Sequence, residues 1–90
     1  MAVKINITII NKLGLHARAA SKLVATASRY ESVIEVNRQG QKADAKSIMS
    51  VLMLAASKGT ELEIAADGVD AEDAIEHISA LINNRFDEAE

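Results

Sequence analysis

Residues 1–10 read MAVKINITII, and the fold turns on the period hidden in them. Val3, Ile5, Ile7 and Ile9 recur at every second position, with Lys4, Asn6 and Thr8 between them. That is the period of a strand with one face buried. The alternation also argues against a secretory leader, which needs a basic start, a continuous apolar core and a small-residue cleavage site.

Moving outward, the period changes. Asn11 to Leu15, with Gly14, reads as a loop, and Ala20, Leu23, Val24 and Ala27 then fall at i, i+3, i+4 and i+7, the stripe of a helix beginning near His16. Ile34 and Val36 mark a second strand, Arg38 to Gln41 a turn, and Gln41 to Ala45 a weaker third strand. Lys46-Ser47 opens a second helix, with Ile48, Val51 and Leu52 on one stripe and Met49 and Met53 offset from it, running to Lys58-Gly59. Leu62 and Ile64 alternate with Glu61 and Glu63 as a fourth strand, and Asp67-Gly68 turns the chain. Asp70 is expected to cap a third helix with Glu72 and Asp73 in its first turn, Ile75, Ile78 and Ile82 on its buried stripe and Arg85 near its C-terminus. The order βαββαβα predicts one α+β domain over residues 1–90, an antiparallel sheet with its helices on one face.

Composition narrows the function classes. Nearly half of the 90 residues are apolar, but only one is Tyr and one Phe, so the core must be aliphatic and a disordered chain is excluded. Cysteine is absent and the only histidines are His16 and His77, so neither a metal site nor another cofactor is expected. A net charge of −3, scattered basic residues and scarce aromatics argue against nucleic acid. No apolar run reaches membrane-spanning length, and a cytoplasmic monomer is the expectation.

The chemistry concentrates in GLHARAA, residues 14–20. A histidine at a helix start sits beside unpaired N–H groups, where the macrodipole favours anions and disfavours a cationic ring. Capping is the ordinary use of such a position. The alternative is a nucleophile: neutral imidazole attacks phosphorus, and the phosphoryl group is held by the Ala17 and Arg18 N–H groups and the Arg18 guanidinium. The small Ala17, Ala19, Ala20 and Ser21 would let a partner approach. No second carboxylate or base is placed near His16 by any motif, which disfavours a hydrolase.

GLHARAA after a first strand, AKSIMSVLML at 45–54 and KGTELEIAADG at 58–68 together resemble the HPr family, the histidine phosphocarriers of the phosphoenolpyruvate-dependent phosphotransferase system. The resemblance covers essentially the whole chain. It implies an open-faced sandwich of a four-stranded antiparallel sheet covered by three helices. It further implies a covalent relay, not a turnover enzyme: His16 is phosphorylated at Nδ1 by Enzyme I, Arg18 lies beside the phosphate, and an Enzyme IIA-type protein is the acceptor, in sugar uptake or regulation. Ser47 matches the family's regulatory serine, the target of HPr kinase/phosphorylase. The usual proline after the arginine is replaced by Ala19. This form is similar to HPr and NPr versions in bacteria with a reduced, regulatory system.

Other residues have plainer readings. Ser47 is a favoured N-cap, and His77, with no partner nearby in sequence, reads as structural or solvated. A short helix apolar all round has one side left over, which predicts an exposed Met49. Met49 and Leu52 would form an adaptable docking patch, with Lys46, Lys22 and Arg18 around it to meet acidic partner residues. A binding module of the same fold, in which His16 only anchors an anion, is the competing function.

Overall fold

The structure, a computed structural model, describes residues 2–90; Met1, at the head of the alternating run, lies outside them. Its elements are β1 (Ala2–Thr8), α1 (Ala17–Ala27), β2 (Val33–Arg38), β3 (Gln41–Asp44), α2 (Ile48–Met53), β4 (Glu61–Asp67), α3 (Ala71–Asn83) and a closing 3₁₀ turn, Arg85–Asp87. The expected order stands. The four strands form one antiparallel sheet in the order β1-β4-β2-β3, so the last strand in sequence inserts between the first two.

Register follows the buried face. Ile5 pairs with Ile64 and Ile7 with Leu62 across β1 and β4, while Val36 faces Ile64 on one side and Ala43 on the other. Ile34, Val36, Ala43, Leu62, Ile64 and Ala66 are buried beneath the helices. Val3, Ile5 and Ile7 are only half-buried, because β1 is an edge strand with neighbours on one side only. The opposite sheet face is polar, with surface ion pairs Lys4–Glu63 at 3.7 Å and Lys42–Glu35 at 3.9 Å, of the exposed kind that contributes little to stability. The hairpin between β2 and β3 turns on Gln39 and Gly40 at φ +50° and +90°, the positive-φ pair that matches strand twist.

Several expectations fail locally. Helix α2 does not run to Lys58-Gly59: it ends at Met53, and Ala55 turns left-handed at φ +50°. Arg85 does not serve the end of α3, which closes at Asn83; Arg85, Phe86 and Asp87 all have positive φ, between 53° and 64°, and swing the tail away from the helix axis. Phe86 thereby enters the core and is fully buried. Asp70 stands at the N-cap position of α3 but caps nothing with its side chain. Its carboxylate instead accepts the Ser32 hydroxyl and the Glu31 and Ser32 N–H groups, fastening α3 to the start of β2. These donors hold the Asp70 carboxyl below its ordinary range, the Ser32 hydroxyl most strongly and the Glu31 N–H next, against a smaller desolvation effect. Ala19 and Ala20, expected to leave room for a partner, are fully buried against the core; only Ala17 and Ser21 of that small-residue group are exposed.

Candidate phosphoryl-acceptor site

The loop before α1 is set by backbone geometry. Gly14 has φ +67°, and a Cβ there would lie 2.5 Å from the Ala56 carbonyl oxygen and 2.8 Å from Ser57 Cα. Only glycine allows the loop to press on the segment after α2 this closely. The Leu15 N–H then donates to Ala56 O at 2.8 Å, and the next residue, His16, becomes the N-cap of α1.

His16 is extended at φ −79° and ψ 179°, and its side chain makes no capping bond. Its carbonyl accepts the Ala20 N–H at 2.8 Å, while the N–H groups of Ala17, Arg18 and Ala19 have no acceptor among the described residues. The imidazole is 30 % exposed. Its Nε2 is hydrogen-bonded to Glu88 Oε2, and its Nδ1 has no hydrogen-bond partner among the described residues. The other carboxylate oxygen, Glu88 Oε1, accepts Asn11 Nδ2 at 3.0 Å, and the same amide nitrogen reaches Gly14 O at 2.9 Å. Hydrogen bonds from His16 first and Asn11 second hold the Glu88 carboxyl below its ordinary range, opposed by desolvation and helped by the positive charge of Arg18. Arg18 is exposed and shares with His16, Leu13, Ala17 and Glu88 the lining of a shallow depression.

Some of the other singled-out residues are already engaged. Lys22 Nζ donates to Phe86 O at 2.8 Å and lies 3.4 Å from Asp87 Oδ2, so it holds the tail. Lys46 Nζ donates to Tyr30 O at 2.7 Å. Ser47 stands at the N-cap of α2, with no capping bond from its hydroxyl. Met49 is 65 % exposed, as expected, and Met53 and Leu13 are similarly bare, while Leu52 is half-buried against the core. His77 has a partner that lies 47 positions away: Tyr30 Oη meets its Nδ1 and the two rings stand edge-on, centroids 5.9 Å apart. His16 and His77 are not brought together, and no group of three or more metal-ligating side chains exists among the described residues.

Glu88, Asn11 and Phe86 were missed from sequence. One signal was available: the only phenylalanine sits in the polar run Asn83-Asn84-Arg85-Phe86-Asp87, where an apolar residue implies that the tail docks.

Comparison with known proteins agrees with the fold. The family model described as the PTS HPr component phosphorylation site matches residues 3–84. The chain is 53 % identical over 87 residues to phosphocarrier protein HPr of Pseudomonas aeruginosa, covering 96 % of this chain and 97 % of that one. It is 43 % identical over 83 residues to phosphocarrier protein NPr of Shewanella violacea, covering 92 % and 91 %. The crystal structure of HPr-C-His from Thermoanaerobacter tengcongensis superposes with a TM-score of 0.95 at 41 % identity, covering 98 % of this chain and 99 % of that one. No helix is long and apolar enough to cross a membrane among the described residues. Matched along almost its whole length in sequence and in fold, this chain belongs to the HPr family of phosphocarrier proteins.

Proposed function

We propose that this protein accepts a phosphoryl group from Enzyme I on Nδ1 of His16 and passes it to an Enzyme IIA-type acceptor in the cytoplasm. One observation carries the reading: the imidazole stands at the start of an eleven-residue helix whose first-turn N–H groups are unpaired among the described residues. Incoming phosphate oxygens meet the Ala17 and Arg18 N–H groups and the positive helix end, where anionic charge is stabilised without reorganising the backbone. Arg18, exposed and without a hydrogen-bond or ion-pair partner among the described residues, closes on the same oxygens. The exposed Met49 and the remaining exposed edge of the half-buried Leu52 on α2, which packs against α1, supply adaptable apolar area for partners. Lys46 and Lys22 take part at the rim only by loosening their present carbonyl contacts.

Incubation with Enzyme I and phosphoenolpyruvate tests this directly. The protein should gain an acid-labile, base-stable phosphate, and His16→Ala should gain none while melting within a few degrees of the parent. Absence of label on the parent would favour the competing anion-binding module. Ser47 supports a regulatory reading as well, since its hydroxyl starts α2 without a capping bond. A phosphate there would add negative charge beside Met49 and disfavour an acidic partner face. Ser47→Asp should then accept phosphate from Enzyme I more slowly than Ser47→Ala, most clearly at low salt.

A further inference from the structure

The C-terminal strap, residues 85–90, is built into the site it crosses, and we infer that Glu88 is a positioning residue for phosphoryl transfer, fixing the His16 tautomer that leaves Nδ1 as the nucleophile. This rests on the phosphoryl-acceptor reading above and extends it to a residue outside the GLHARAA motif.

An ionised carboxylate only accepts hydrogen bonds. The contact between Glu88 Oε2 and His16 Nε2 therefore places a ring proton on Nε2, so that in the neutral imidazole the lone pair is on Nδ1. Low carboxyl basicity, caused chiefly by these same hydrogen bonds, keeps Glu88 in its accepting form at neutral pH.

The contact is not that of a fraying end. Phe86, two residues earlier, is fully buried, Lys22 Nζ holds its carbonyl at 2.8 Å, and the Glu88 N–H donates to Arg85 O at 2.9 Å. Asn11, itself fully buried, grips Glu88 Oε1 and the Gly14 carbonyl with one amide nitrogen. Thus Asn11 ties the turn that delivers His16 to the strap that orients its ring. Beyond Glu88, the Lys12 N–H donates to Glu90 O, and Lys12 Nζ lies 3.5 Å from Glu90 Oε2.

The arrangement also fits the charge balance of the step. The Nδ1 lone pair forms the new P–N bond while the bond from phosphorus to the donor breaks, its electron pair leaving with the donor. The Nε2 proton stays in place and the ring becomes an imidazolium. Glu88 faces the nitrogen that keeps the proton, so its negative charge stabilises the cationic ring as it develops, the logic by which a buried aspartate serves the histidine of a hydrolytic triad.

The test combines ring ¹⁵N shifts of His16 with initial rates of phosphoryl uptake from Enzyme I and phosphoenolpyruvate, for the parent, Glu88→Ala and Glu88→Gln. The parent should show the Nε2–H tautomer. Glu88→Ala should show mixed tautomers and a rate lower by about 10- to 100-fold, the loss typical when the carboxylate that orients a ligating histidine is removed. Glu88→Gln, which can accept from Nε2–H but carries no charge, should restore the tautomer and only part of the rate. A Glu88→Ala protein with the parent's tautomer and rate would overturn the inference while leaving the acceptor reading intact. A parent that takes no phosphate at all would overturn both.

Discussion

Replacing Gly14 with alanine separates two costs that the structure keeps distinct. Gly14 has φ +67°, and its added Cβ would sit 2.5 Å from Ala56 O and 2.8 Å from Ser57 Cα, both backbone atoms that cannot rotate aside. Gly40, at φ +90°, has nothing within 4 Å of its Cβ position. Both substitutions place an L-residue in a left-handed conformation, at a net cost of about 1–2 kcal/mol. Gly14→Ala alone adds overpacking, about 1–3 kcal/mol. An unfolding entropy of about 2.1 cal/mol/K per residue over 90 residues amounts to about 0.19 kcal/mol/K. Gly40→Ala should therefore lower Tm by about 5–10 °C and Gly14→Ala by about 10–25 °C in parallel calorimetric scans. Phosphoryl uptake should fall for Gly14→Ala even well below its Tm, because the displaced loop carries His16 and the Gly14 carbonyl bound by Asn11. Equal Tm losses for the two variants would refute the close approach of this loop to residues 56–57.

Three further outcomes are expected. Ala19→Pro should leave Tm unchanged or raise it by up to about 5 °C, since the Ala19 N–H has no acceptor among the described residues and a compatible proline stabilises by about 0.4–1 kcal/mol; a melt well below the parent's would reveal a specific partner for that N–H. Phe86→Ala should cost about 3–5 kcal/mol in urea unfolding, because the ring is fully buried, and should speed hydrogen exchange in the tail; a near-neutral result would place Phe86 outside the core. Asp70, whose carboxyl is lowered chiefly by the Ser32 hydroxyl, contributes stability that is present above the ordinary carboxylate range, about pH 4, and is lost as pH falls through the lower folded value. The Tm gap between the parent and Asp70→Asn should accordingly be full at pH 7 and close toward pH 2, and a gap independent of pH would refute the linkage.

Much of this molecule was legible from local pattern alone. The two-residue period of Val3, Ile5 and Ile7, the helical stripe through Ala20 and Leu23, and the alternation at Glu61–Ile64 depend only on neighbours a few positions apart, and the observed elements follow them. His16 and Arg18 stood out for the same reason: a helix start with a nucleophile and a cation is written in five consecutive residues. Tertiary structure decided what the backbone does where the pattern stops. Helix α2 ends early because Ala55 turns left-handed, and Asp70 binds Ser32 because chain closure brings the start of β2 to the start of α3. Neither leaves a period to read. The same holds for Glu88, 72 positions from His16. A carboxylate near a chain end looks solvated in sequence, and it becomes part of the site only because three consecutive left-handed residues fold the tail back and the buried Phe86 offsets the entropy of holding it there.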